Sequence, residues 1–176
     1  IAGAPICDEL ADFAARHGRR LQLEIEPGTF LVANAGALLT TIVDVANTGS
    51  EGFEFLKIDS GMTEILRPSM YGSQHPLTVI PRQTANSVRD YLVVGHCCES
   101  GDVLTPEPDN PEGLKLRSLH SARIGDGLLI GSCGAYCAGM SAKNYNSFPE
   151  AAEILRRAPG VFDLIRRRQE PAAVYA

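Results

Sequence analysis

Apolar residues recur at Ile6, Leu10, Phe13 and Ala14, between Pro5 and Gly18. That three-and-four spacing predicts a helix over residues 5–17, with a proline at its start and a glycine after its end. The period then changes. In LQLEIE (21–26) every second position is apolar, which predicts a strand that stops at Pro27-Gly28. Residues 30–45 are rich in Val, Ile, Leu and Thr and broken by Gly36, so they read as one strand or two with a bend at the glycine. FEFLKID (53–59), DYLVVGHC (90–97) and GDGLLIGS (125–132) predict further strands. Between them TPEPDNPEG (105–113) is polar, proline-rich and turn-like. Near the end, FPEAAEILRRA (148–158) predicts a helix with Pro149 in its first turn and Pro159-Gly160 beyond it.

A helix and a strand followed by strand after strand place a domain boundary near residue 36. Residues 1–36 read as the last helix-strand unit of an α/β barrel, and residues 37–176 as a mostly antiparallel β-domain with a short helix. The predicted class is therefore α+β, mostly β. Composition narrows the setting. With 176 residues, 44% of them hydrophobic and 21% charged, the chain is long enough to bury a sizeable core as one soluble unit. No apolar run approaches the ~18 residues of a membrane helix, and no signal-peptide pattern opens the chain. The first residue is Ile1 and the helix pattern starts at once, so the chain is expected to be the C-terminal portion of a longer protein. A net charge of -5 argues against nucleic acid as a partner. The one basic cluster, Arg166–Arg168, reads as a solvated helix face. Five cysteines, an odd number, favour reduced thiols in the cytoplasm over a disulfide framework.

Four stretches carry residue types suited to chemistry. IEPGTF (25–30) sets Glu26 and a Pro-Gly turn at a strand's C-terminal end, where backbone N–H groups can hold a phosphate; equally, the glutamate can satisfy a neighbouring donor. Arg67, Tyr71 and His75 follow at intervals of four, with Pro68 set to break any regular helix after Arg67. Arg67 suits bidentate binding of a carboxylate, with an ion pair to Asp59 or Glu64 as the plainer alternative, and His75 reads as structural. HCCESGD (96–102) admits three readings: a zinc site shared with Cys133 and Cys137, a vicinal disulfide, or a single working thiol, Cys98, beside Glu99. Adjacent cysteines point to opposite faces of a strand, which disfavours shared ligation. A thiol with a reference pKa near neutrality can give or take a proton. Cys7, Cys97, Cys133 and Cys137 read as inert. In GSCGAYCAGM (131–140), Tyr136 follows a strand and either lies against a planar ligand or covers a core edge.

Taken in order, EPG, DSGM with LRPSMYG and His75, CESGD, and GAY with Met140, Tyr145-Asn146 and Pro149 resemble the diaminopimelate decarboxylase family, from residue 24 to about residue 157. The resemblance implies an alanine-racemase-like (β/α)8 barrel that binds pyridoxal phosphate, completed by a C-terminal antiparallel β-barrel or sandwich domain. It implies a cytoplasmic homodimer with shared active sites that makes lysine from meso-diaminopimelate. On this resemblance Glu26 keeps the pyridine nitrogen protonated, Gly28 and Thr29 belong to the phosphate turn, and Tyr136 touches cofactor and substrate. Arg67 and Tyr71 contact the substrate carboxylate, Glu99 binds the distal amino group, and Cys98 protonates in the partner's site. No metal is implied. The lysine that holds the cofactor belongs to the family's barrel, and Lys57, Lys115 and Lys143 lack its context. The sequence departs from the family pattern at Thr29 and Phe148, where arginines are usual, and at His96. Two lost positive charges point to an alternative substrate, lysine, ornithine or a carboxylated polyamine. A further alternative is a non-catalytic homologue that regulates a decarboxylase.

Overall fold

The computed structural model describes residues 3–84 and 86–175. Its helices are α1 (Gly3–His17), α2 (Thr29–Val32) and α3 (Arg67–Tyr71). Its strands are β1 (Leu38–Asn47), β2 (Glu54–Ile58), β3 (Leu77–Ile80), β4 (Val88–Val94), β5 (Pro106–Glu107), β6 (Asn110–Leu114), β7 (Arg117–His120), β8 (Gly127–Ile130), β9 (Glu153–Ala158) and β10 (Val161–Arg166).

Six strands form one sheet in the order β3-β8-β1-β2-β4-β7. All neighbours are antiparallel except β2 and β4. The edge strands β3 and β7 come within 8 Å of each other at Cα, so the sheet curls almost closed. β1 makes the curl possible. Leu38–Thr41 pair with β8, whereas Ile42 and Asp44 onward pair with β2, and Val43 is left out of register between them. A bulge of this kind bends a strand and adds twist, so that one strand serves two walls. The interior is filled by Ile42, Leu56, Ile58, Leu128 and Ile130, which alternate with more exposed residues along their strands, by Tyr91 and Val93 from a stretch of β4 buried throughout, and by Ile65 from the segment before α3. Tyr91 reaches the core with its polar end satisfied: its hydroxyl accepts from the Ala122 N–H at 3.1 Å.

Several expectations need correction. The helix predicted over residues 148–158 does not form: residues 148–152 are irregular and Glu153–Ala158 are strand β9, paired with β10. Pro159 and Gly160, the latter at φ 76°, form the tight turn between them rather than a helix stop. Arg166 therefore lies on a strand, not a helix face, and bonds Glu150 at 3.0 Å and Glu153 at 3.2 Å. The first part of the expected strand over residues 30–45 is helical instead, as α2 and a 3-10 turn over Ala33–Ala35; only β1 is extended. Residues 21–26 alternate as a strand does but join no ladder, because no neighbouring strand lies beside them among the described residues. Pro68 sits in the first turn of α3 and opens that helix rather than breaking it, since an N–H in the first turn has no intrahelical acceptor and its absence costs no helix bond. The polar stretch over residues 105–113 contains the short β5–β6 ladder.

Candidate active site

Two groups of predicted site residues form on the domain surface. The first gathers positions far apart in sequence. Helix α3 puts Arg67 and Tyr71 one turn apart on the same face, and Gly72, left-handed at φ 63°, ends the helix there. The Arg67 guanidinium lies 5.2 Å from the centre of the Tyr71 ring and 5.7 Å from that of Tyr136. Tyr136 itself occupies the left-handed region at φ 57°, a conformation that a β-carbon makes costly and that the surroundings must enforce. Those surroundings are a close seam between two segments. Gly134 donates to the Ala33 carbonyl at 2.9 Å, Cys133 to the Gly36 carbonyl at 2.8 Å, and Ser132 Oγ to Asn34 Oδ1 at 2.8 Å. A β-carbon on Gly134 would overlap the Val32 carbonyl oxygen. Across the same seam the Tyr136 phenol rests on Gly28, so close that a β-carbon there would be 2.5 Å from the hydroxyl oxygen. Gly28, Arg67, Tyr71 and Tyr136 are thus one cluster.

His75 fixes the start of this loop, donating from Nδ1 to the Gly131 carbonyl at 2.9 Å. Burial, with a further push from the Arg67 charge, holds its pKa below the ordinary value despite the Gly131 bond. Cys133 gives its S–H to the Ile130 carbonyl at 3.2 Å, and its thiol is raised by its bond to the Cys137 thiol and by burial. Thr29 and Glu26 are exposed beside Gly28.

The second group is the loop between β4 and Val103, closed by the Val94–Val103 bridge. Asp102 organises it from inside. Only 3% exposed, its carboxylate accepts from the Met62 N–H at 2.8 Å and the Cys97 N–H at 2.9 Å. Burial, followed by the Asp102 charge, pushes the Cys97 thiol up to about 12, so Cys97 stays protonated and inert. Cys98 faces solvent, and its backbone N–H donates to Asn146 Oδ1 at 2.8 Å. Glu99 turns outward. The Gly101 N–H at 3.1 Å is the first cause that lowers its pKa, and the Ser100 and Tyr145 hydroxyls add to it, each at 3.4 Å. Among the described residues no hydrogen bond, ring contact or ion pair joins this loop to the Arg67 cluster.

Sequence reasoning missed Asn146 and Tyr145 as supports of the Cys98 loop, and Asp102 as its organiser. An asparagine-rich KNYNS run was the available signal, because asparagine is, after glycine, the residue that most readily takes the left-handed turn found at Asn144 and Asn146. An open cleft of about 820 Å³ also lies between β1, the end of β3 and residues 148–151, lined in part by Asp59, Glu64, His96 and Phe148. No predicted site residue lines it.

Both groups lie on the surface of a curled, mostly antiparallel sheet domain. The description "Pyridoxal-dependent decarboxylase, C-terminal sheet domain" matches residues 6–134, and the chain belongs to that family. A diaminopimelate decarboxylase of Buchnera aphidicola subsp. Baizongia pistaciae is 44% identical over 86% of this chain and 36% of its own length. A crystal structure of diaminopimelate decarboxylase superimposes with a TM-score of 0.76 and 37% identity, covering 96% of this chain and 39% of that one. The diaminopimelate decarboxylase of Helicobacter pylori, solved in complex with L-lysine, superimposes at 0.69 with 29% identity, over 93% of this chain and 36% of its own. The chain spans little more than a third of the length of the curated relatives it matches. No helix among the described residues is long and apolar enough to cross a membrane.

Proposed function

We propose that this domain completes the active site of a pyridoxal-phosphate-dependent decarboxylase that converts meso-diaminopimelate to L-lysine and CO2, as a cytoplasmic homodimer whose sites are built from both chains. The observation that carries the reading is the convergence of Gly28, Arg67, Tyr71 and Tyr136. Positions scattered over more than half the chain meet with an arginine, two phenols and a glycine backbone. That donor set fits an anionic aromatic cofactor: the Tyr136 ring offers a flat face, and Gly28 lets backbone and phenol approach together.

When bound, pyridoxal phosphate supplies the electron sink that makes loss of the carboxylate feasible. Glu26 supports the protonated ring nitrogen, Gly28 and Thr29 border the phosphate, and Tyr136 contacts ring and substrate. Arg67 and Tyr71 hold a substrate carboxylate and so orient the bond to be broken. Glu99, kept ionised by the Gly101 N–H and its hydroxyl partners, binds the distal ammonium group. Cys98 delivers its thiol proton to the substrate carbon that has lost CO2, in the site of the partner subunit. Its place on an exposed loop, apart from the Arg67 cluster of its own chain, supports delivery in trans.

Thr29 favours a second reading, in which the same machinery acts on lysine or ornithine. A hydroxyl cannot replace the charge-assisted contact of an arginine, a loss of about 2–3 kcal/mol. Product analysis by mass spectrometry separates the two, with the full-length protein and pyridoxal phosphate offered meso-diaminopimelate, lysine and ornithine together. Lysine formed from diaminopimelate is the expected result. Cadaverine or putrescine would transfer the assignment to the second reading, and no product from any of the three would end it.

A further inference from the structure

Phe148 and His96, two of the positions at which this sequence departs from the family pattern, touch each other. Their rings stack with centroids 3.6 Å apart and planes 6° from parallel. We infer that this stack is a positioning device: it clamps the loop that presents Cys98 and Glu99 to the loop that supports them. The inference rests on the reading of Cys98 as the proton donor.

Residues 96–99 are held first from inside the domain. Asp102 secures the base of the loop through the Cys97 N–H, and the Gly95 N–H donates to its backbone carbonyl at 2.8 Å. Beyond that point the loop depends on a second one. Cys98 donates its N–H to Asn146, and Glu99 accepts from Tyr145. The second loop holds its shape only in part, through Ser147 N–H to the Asn144 carbonyl at 2.9 Å and Phe148 N–H to the Tyr145 carbonyl at 3.2 Å. Asn144, Asn146 and Ser147 all have positive φ, at 59°, 51° and 65°. Such a run persists only where surrounding contacts over-determine it.

Those contacts come from two sides. On one side, Asn144 Nδ2 donates to the Phe148 carbonyl at 3.0 Å and to Gln169 Oε1 at 2.5 Å. Gln169 also accepts from the Glu150 N–H at 3.0 Å, which ties the loop to the end of the β9–β10 hairpin. On the other side stands the stack. His96 is itself immobilised, with its ring Nε2 2.8 Å from the Thr63 hydroxyl and its N–H donating to the Ser60 carbonyl at 3.0 Å. Phe148 therefore lies on a fixed plane, and residues 145–147 are suspended between that plane and Gln169. Without the ring face, Asn146 loses its register against Cys98. A thiol that must reach one carbon atom is sensitive to displacements of about 1 Å.

The test uses the full-length protein with pyridoxal phosphate and the variants Phe148→Ala, Phe148→Leu and Phe148→Tyr. Hydrogen exchange of residues 96–99 is followed by mass spectrometry, alongside kcat and KM for meso-diaminopimelate. Loss of the ring face should speed that exchange about threefold to tenfold. It should lower kcat and, because Glu99 rides on the same loop, raise KM, and Phe148→Tyr should restore both. Phe148→Leu fills the space without a π face, so it decides the matter should the alanine variant not fold. Exchange unchanged in Phe148→Leu, or lost equally in Phe148→Tyr, would overturn the inference. Cys98→Ala is the separate control. If it turned over at the parent rate, the proton-donor reading would fail while the exchange result still judged the clamp.

Discussion

At the scale of single residues, HCCESGD divides its labour according to burial. Asp102 is inside and accepts backbone N–H bonds, Cys97 is half-buried with a raised thiol, and Cys98 and Glu99 face out. Asp102 and Cys98 therefore fail differently when replaced. Asp102→Ala orphans the Met62 and Cys97 amides and should cost about 2–4 kcal/mol, read as a lower denaturation midpoint with an unchanged slope. Cys98→Ala should leave that midpoint within about 0.5 kcal/mol of the parent, because an exposed thiol supports no packing. If Cys98 is the proton donor, the same change in the full-length protein should lower kcat by about 10²–10⁴ with little change in KM. Arg67, Tyr71, Cys98, Glu99 and Tyr136 could be singled out from residue type and motif order alone. Asn146 and the His96–Phe148 stack could not, because their roles arise from a contact between two loops nearly fifty positions apart.

At the scale of elements, glycine decides where segments meet. Gly134 lies against the Val32 carbonyl, so Gly134→Ala must part the seam that holds Tyr136 in its left-handed conformation. The expected outcome is a loss of about 1–3 kcal/mol together with weaker cofactor retention, measured by thermal melting and by titration with pyridoxal phosphate. A variant that kept both would show that the seam yields freely. FEFLKID and GDGLLIGS were legible because each buries one face and so alternates, and DYLVVGHC because it is a continuous apolar run, buried from Tyr91 to Val93. The β9–β10 hairpin was not. Ile154, Leu155, Phe162, Leu164 and Ile165 are exposed on both of its faces, so no period of two marks it. The pair Pro159-Gly160 is equally suited to stopping a helix and to turning a hairpin. Likewise Phe30–Ala35 carries strand-like composition but coils, since its backbone is drawn against residues 132–134 rather than into a ladder.

At the scale of the whole molecule, two histidines set a pH response. Burial holds both His75 and His96 below the ordinary value of 6.5. For His96 the carboxylates of Glu64, Asp102 and Asp59 oppose that shift and Lys57 adds to it. As pH falls through 6.5 the unfolded chain therefore takes up these protons before the folded one does. The stability they contribute is full above 6.5 and is lost toward the lower folded values. The melting temperature should fall between about pH 7.5 and pH 5.5, and a flat profile would mean that neither ring is held neutral. The larger consequence concerns assembly. If Cys98 serves the partner's site while Arg67 serves its own, each defect can be covered by an intact neighbour. The decisive measurement is subunit complementation: full-length Arg67→Ala and Cys98→Ala chains, each nearly inactive alone, are unfolded and refolded together, and turnover of meso-diaminopimelate is measured. Random pairing puts about half the dimers in the mixed form with one intact site of two, so activity should return to about a quarter of the parent value. Activity no higher than that of either variant alone would contradict the shared site, and with it the assignment of Cys98 as a proton donor acting across the interface.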